Sequence, residues 1–208
     1  MAHHRYTNIT GAANYGELGS GGSYKSQLER DEVMYWLMEP DVAKVIIEPT
    51  PKKQYILKGK KHDYTPDLLV SFSPASGRKS FYVECKYADM LDDELKEKHE
   101  CIRLALASGG EIFIVRTEKD TYDESFPARR FLLFSRDEPC DTGIEKEILT
   151  VLAEAGELEV GCLLKRLGGN KRRQMEIVPQ VWRLAGLHQI KITLTPLLGE
   201  QTLVGPLA

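Results

Sequence analysis

Tyr64-Thr65-Pro66-Asp67-Leu68-Leu69-Val70, a turn at Ser73-Pro74-Ala75-Ser76-Gly77, and then Phe81-Tyr82-Val83-Glu84-Cys85-Lys86 decide how this chain folds. The residue before a proline is held extended, so Thr65-Pro66 delivers Asp67 into a strand with its direction already set. The apolar run after it reads as a core strand, and the Pro/Gly turn sends the chain back as a second strand. Alternation along that second strand puts Glu84 and Lys86 on one face and Cys85 on the other. An Asp that opens one strand and a Glu-x-Lys that closes the next fall at the same end of the pair, where the strands diverge.

Each charged group has a plain structural reading. Asp67 alone is a turn residue before a buried strand, and Glu84 with Lys86 is an ion pair at a sheet end. Phe81 and Val83 make the strand a buried one, however, where unpaired charge is costly. Two carboxylates and an ammonium together are the donor set of a divalent cation and of a water attacking a phosphodiester. The chemistry expected from the residues is that of a DNA endonuclease.

Upstream, Leu28, Val33, Met34, Trp36 and Leu37 recur at helical spacing. Ser26 suits the N-cap and Glu29 the third helical position, and Pro40 ends the run. Glu29 can therefore be a capping-box residue or a further acidic group of the site. Strands are expected at Val45–Glu48, Gln54–Leu57, Asp67–Phe72, Ser80–Lys86, Glu111–Arg116 and Phe131–Phe134. A helix is expected over 90–107, with Leu91, Leu95, Ile102, Leu104 and Leu106 toward the core. Helix, strands, helix, strand is an α/β layer pattern.

Residues 1–25 are rich in Gly, Asn, Ser and Ala without periodicity and read as a flexible segment. A polar stretch over 135–142 reads as a linker, which divides the rest into 26–136 and 141–208. The last part shows three short helical patterns, with Asn170 as the cap of the third and Pro179 inside it, where a kink or a later start is expected. Ile190–Leu194 and Gln201–Val204 then alternate as a hairpin. Three helices and a two-stranded ribbon make a winged-helix pattern. Lys165, Arg166, Lys171, Arg172, Arg173 and Arg183 gather there as a phosphate-contacting patch, or as an ordinary solvated helix face.

The chain has 208 residues, a formal net charge of −3 and four cysteines. That balance argues against a basic nucleic-acid coat, so DNA contacts must be local. Cys85, Cys101, Cys140 and Cys162 form no CxxC pair and read as reduced thiols. No apolar run reaches about 18 residues and no signal-peptide core is present. The expectation is a soluble protein of the bacterial cytosol or nucleoid.

Pro66-Asp67, a spacer and Glu84-Cys85-Lys86 resemble the PD-(D/E)xK nuclease superfamily. Ser26-Gln27-Leu28-Glu29-Arg30-Asp31, then Glu48-Pro49, then Tyr64-Thr65-Pro66-Asp67-Leu68-Leu69-Val70 and Val83-Glu84-Cys85-Lys86 extend the likeness. Together they resemble the TnsA endonucleases of heteromeric cut-and-paste transposons, over most of residues 26–205. Leu68 departs from the pattern, since an aromatic is common there. The resemblance implies a restriction-endonuclease-like mixed sheet flanked by helices, with a small C-terminal winged-helix domain. It also implies Glu29, Asp67 and Glu84 as ligands of Mg²⁺ or Mn²⁺ together with the Cys85 carbonyl, and Lys86 orienting the attacking water. Implied partners are double-stranded DNA at transposon ends, a TnsB-like DDE transposase and a TnsC-like AAA+ ATPase, with hydrolysis of the 5′ strand. Two rival expectations are a stand-alone repair, phage or restriction nuclease, and an inactive winged-helix adaptor.

Overall fold

A computed structural model describes residues 11–13, 19–20, 22–168 and 170–207. The chain forms two compact units, residues 1–123 and 124–208.

In the first unit, Ser26 caps helix α1 (Gln27–Leu37) by accepting from the Glu29 amide at 3.1 Å. The short strands β1 (Gly11–Ala13), β2 (Gly19–Ser20) and β3 (Gly22–Tyr24) precede α1; β4 (Val42–Ile47) follows it, then a hairpin of β5 (Lys53–Leu57) and β6 (Lys60–Tyr64). β7 (Leu68–Phe72) and β8 (Phe81–Cys85) carry the decisive stretches, and α2 (Asp93–Ser108), β9 (Ile112–Arg116) and the short α3 (Glu118–Thr121) complete the unit. Pairing runs β4 against β7 antiparallel, β7 against β8 antiparallel, and β8 with β9 parallel. This is a mixed sheet flanked by helices, as a restriction-endonuclease-like fold requires. Gly19–Ser20 adds a parallel rung at the β4 edge, and Gly11–Ala13 pairs antiparallel with Gly22–Tyr24. The rest of the expected flexible segment lies outside the described residues.

Strand parity explains how the two sheet faces are filled. Trp36 of α1 packs edge-on against Phe81 on one face. On the face where Tyr82 points, Tyr55, Tyr64, Ile102, Leu106 and Phe113 form a cluster. The ladder between β7 and β8 ends at the Leu68–Val83 pair, so Asp67 and Glu84-Cys85-Lys86 lie past its last rung.

The second unit holds α4 (Phe126–Ser135), α5 (Thr142–Ala155), α6 (Val160–Leu167) and α7 (Lys171–Gly186). Short strands β10 (Leu158–Glu159), β11 (Lys191–Ile192) and β12 (Leu203–Gly205) form an antiparallel sheet with β12 in the middle. Ile148, Leu152, Leu163, Ile177 and Leu184 are fully enclosed and make its core. Asn170 caps α7 as expected, accepting from the Arg173 amide at 2.9 Å. Gly186 lets α4 approach α7: a Cβ there would stand 2.3 Å from the Leu132 carbonyl oxygen.

Several expectations change. Phe131–Phe134 is part of α4 and not a strand. Four consecutive apolar residues carry no period, and what decides is the wider spacing: Ala128, Leu132 and Leu133 turn inward while Phe131 and Phe134 stay exposed. The helix therefore sits in the second unit, which begins before the polar stretch read as a linker. Leu104 is exposed on α2, and His99 takes an inward position instead. β6 was not expected, because Lys60-Lys61-His62-Asp63 shows no apolar alternation. α7 runs through Pro179 without a later start. The hydrogen bond this proline removes is to the carbonyl of exposed Met175, where water can replace it.

Candidate active site

Beyond the last β7–β8 rung the backbone of Cys85 finds a new partner: its amide donates to Asp67 Oδ2 at 2.8 Å. The amide and carbonyl of one strand residue leave by the same edge. The Cys85 carbonyl thus faces the Asp67 side, while the Lys86 amide donates to the Arg116 carbonyl at 3.0 Å on the β9 side. Glu84 and Lys86 share the other face, and Lys86 Nζ lies 3.0 Å from Glu84 Oε1. The Tyr64 hydroxyl, from the end of β6, donates to Glu84 Oε2. His99 Nε2, from α2, stands 3.8 Å from Oε1 and finds no hydrogen-bond partner in its buried position.

Glu29 reaches the same place from α1. A cleft of about 430 Å³ is lined by Lys25, Glu29, Asp67, Cys85, Lys86 and Met90 among others. The Glu29 carboxylate accepts from the Lys25 amide at 2.8 Å and from Ser26 Oγ at 3.2 Å. It therefore closes the helix N-terminus and borders the cleft at once. Sequence reasoning left a capping box and a site acid as alternatives; the carboxylate takes the Lys25 amide rather than that of the N-cap Ser26, and it stands on the cleft wall.

Electrostatics separates the two inner carboxyls. Burial, then the negative charge of Glu84, raises the Asp67 carboxyl above the ordinary range, against the pull of Lys86 and the Cys85 amide. Burial works in the same direction on Glu84, but His99, Lys86 and the Tyr64 hydroxyl outweigh it and hold that group low. A pair whose environments push its members apart is a frequent mark of a functional site. Lys86 stays charged: burial disfavours its ammonium, and the charges of Glu84 and Asp67 more than restore it. At the rim, Lys25 pairs with Glu48.

Among the described residues, no three His, Cys, Asp or Glu side chains stand close enough to enclose a metal ion by themselves. The donors nevertheless fit a small hard cation. Mg²⁺ takes one or two carboxylates, keeps several waters and uses substrate phosphates for the rest. Asp67, Glu84 and the Cys85 carbonyl offer such an incomplete set. The carboxyl whose ionisation burial and the Glu84 charge disfavour is the group a cation would relieve.

Tyr64 and His99 are additions to the expected set. Tyr64 belongs to the decisive stretch and could have been found there, three residues before Asp67. His99 lies in an otherwise ordinary amphipathic helix and gave no signal. In the second unit, Arg173 pairs with Glu147 at 2.8 Å and Arg183 with Glu145, while Arg172 lies 3.7 Å from Glu176. Lys165, Arg166 and Lys171 are exposed, and none of them forms an ion pair among the described residues.

Residues 31–118 match the family model described as TnsA-like endonuclease N terminal. The matched span holds Asp67, Glu84, Cys85 and Lys86 and stops short of the second unit. Comparison with curated proteins gives no match.

Proposed function

Because residues 31–118, within the first unit, match the model of a TnsA-like endonuclease N-terminal domain, we propose that this chain is a metal-dependent DNA endonuclease of the TnsA type. The observation that carries the reading is the meeting of Asp67 with Glu84-Cys85-Lys86 past the last rung of the ladder, tied by the bond from the Cys85 amide to Asp67 Oδ2.

Asp67, Glu84 and the Cys85 carbonyl would hold Mg²⁺ or Mn²⁺, with Glu29 at the cleft edge as a further acidic group. Such a cation supplies a Lewis acid for the scissile phosphate and an acidified water as nucleophile. The chain's own residues supply the positioning. The Cys85 amide fixes Asp67 through Oδ2, on a residue that lines the cleft. Lys86 is a compact point charge, able to turn from Glu84 to a phosphate oxygen or to the attacking water and to stabilise the charge that develops there. Extra electrostatic stabilisation comes from the buried strand beneath, where water is excluded and charge interactions are stronger than at the surface.

The order α5, β10, α6, α7, β11, β12, with β12 central in the small sheet, supports a winged-helix reading of the second unit. Lys165, Arg166 and Lys171 are its candidate phosphate contacts. The substrate would be double-stranded DNA at transposon ends, cut on the 5′ strand. A TnsB-like transposase would process the other strand, and a TnsC-like AAA+ ATPase would join the assembly. A net charge of −3 suits a nuclease brought to its site by partners.

Calorimetric Mn²⁺ binding alongside nicking of supercoiled plasmid, for wild type and Asp67→Ala, tests the reading. Wild-type binding that Asp67→Ala abolishes, with nicking weak or absent until partners are added, is expected. Strong nicking by the isolated chain would favour a stand-alone nuclease. Equal Mn²⁺ affinity in both proteins would overturn the metal site and leave an inactive adaptor.

A further inference from the structure

Glu84 is gripped from three sides. Tyr64 donates to Oε2, Lys86 reaches Oε1 at 3.0 Å, and His99 Nε2 waits 3.8 Å from that same Oε1. His99 is only 6% exposed, and its Nε2 is a buried side-chain polar atom that faces Glu84 Oε1 at 3.8 Å without a hydrogen bond among the described residues. A buried, unsatisfied ring nitrogen costs stability, so its persistence calls for a reason. Phe113 packs edge-on against the His99 ring at a centroid distance of 6.1 Å, which keeps the imidazole in place beside the carboxylate. Tyr64 is fixed equally well, with the rings of Tyr55 and Phe113 edge-on to its own.

We propose that Tyr64 and His99 are positioning residues that together take over Glu84 when Lys86 leaves it for the substrate. This inference rests on the metal-dependent nuclease reading of the same site. A phosphate or water in the cleft competes with Oε1 for the Lys86 ammonium, and a turn of Lys86 toward it lengthens the 3.0 Å contact with Oε1. Once it turns away, the Glu84 carboxylate loses a charged partner in a site where an unpaired charge is costly. Tyr64 keeps Oε2, so the carboxylate can only pivot about that bond. A pivot that shortens 3.8 Å to hydrogen-bonding distance brings Oε1 to a proton on His99 Nε2. The carboxylate then stays oriented through the exchange. Neither residue touches substrate in this scheme. Both act through Glu84, as partners of metal-binding carboxylates commonly do.

Mn²⁺ affinity of the full chain, measured by calorimetry with folding checked by thermal melting in EDTA, tests the inference. Tyr64→Phe and His99→Leu should each weaken Mn²⁺ binding by about 10- to 100-fold. His99→Gln places an amide nitrogen near the position of Nε2 and should restore most of the loss. On a Glu84→Gln background neither change should weaken binding further, because both act through that carboxylate. Folded Tyr64→Phe and His99→Leu proteins with wild-type affinity would overturn the proposal while leaving the metal site standing. So would losses that persist undiminished on the Glu84→Gln background. If wild type binds no Mn²⁺, or Asp67→Ala binds as well as wild type, the metal reading fails first and the positioning role fails with it.

Discussion

Two buried glutamates of the first unit, Glu32 and Glu84, show what separates a structural carboxylate from a working one. Glu32 is fully enclosed and completely served: Trp36 Nε1 donates at 2.6 Å, Arg116 Nε at 2.8 Å and Thr121 Oγ1 at 2.6 Å. These bonds pin α1 to the end of β9 and to α3, around a carboxylate with no exposed surface. Glu84 is nearly as buried, at 5% exposure, yet its surroundings are incomplete. One of its neighbours is an orphaned imidazole, another is a lysine on the wall of a cleft, and an acid with a raised pKa stands next to it. Satisfaction within the chain marks architecture. A shortfall beside an opening marks a place kept for something else.

Glu32→Ala is the harshest test of the first half of that contrast. It takes the acceptor from Trp36 Nε1 and Arg116 Nε, leaves Thr121 Oγ1 only the Thr117 carbonyl, and removes the acid that pairs with the Arg116 guanidinium. Breaking a buried pair on one side costs about 3–5 kcal/mol. Urea unfolding should show a loss of that size; a change of under about 1 kcal/mol would mean that Glu32 is not the tie it resembles. Mn²⁺ affinity in whatever fraction stays folded should change far less than with any change at Glu84.

Glu84→Gln should invert the pattern. The amide oxygen can still accept from Tyr64, so stability should move by no more than about 1.5 kcal/mol. Mn²⁺ binding should fall by at least about 100-fold, which corresponds to about 2.7 kcal/mol. If stability collapses while affinity holds, Glu84 belongs with Glu32 and the distinction fails.

How much of this the sequence showed follows from the same distinction. Asp67, Glu84 and Lys86 were legible because a proline, a turn and strict alternation fix where they point with no knowledge of the rest of the chain. The α1 cap was legible too, since Ser26 and Glu29 act within one helical turn. Glu32 was not, because its partners Arg116 and Thr121 lie more than 80 residues away. His99 was hidden for the same reason: its significance depends on how α2 lies against the sheet. The misread Phe131–Phe134 shows the opposite failure, local composition judged without the helix around it.

A smaller effect should come from pH. The native Asp67 carboxyl holds its proton above the ordinary Asp range, so it contributes stability that is complete below about pH 4 and fades as pH rises through its raised native value. Glu84 has the reverse sign: its native pKa is lowered, and its contribution is present above about pH 4.3 and lost as pH falls. Over the interval from about pH 5 to about pH 8 the Asp67 effect therefore governs this pair. Metal-free wild type should lose on the order of 1 kcal/mol relative to Asp67→Asn across it, and saturating Mn²⁺ should remove the decline in wild type alone. Parallel pH curves for the two metal-free proteins would show that Asp67 ionises as an ordinary carboxyl.

The second unit allows the contrast to be tried on exposed charge, where each effect is small. Arg173 has its acid within the chain, at Glu147. Lys165 and Arg166, in the last turn of α6, have no such acid among the described residues. Position alone gives these two a modest structural value, since cations at a helix C-terminus are favoured by some tenths of a kcal/mol. If the free cations are the ones kept for DNA, Lys165→Ala with Arg166→Ala should weaken duplex binding and lower the salt dependence of log K by roughly 0.9 per lost phosphate contact. Arg173→Ala should leave that slope nearly unchanged and cost little stability, as loss of an exposed pair does. Fluorescence anisotropy on a labelled duplex over a salt series separates the outcomes. A slope that drops for Arg173→Ala and not for the double variant would mean that the Glu147 pair opens on binding, so that for exposed charge a partner within the chain does not mark a structural role.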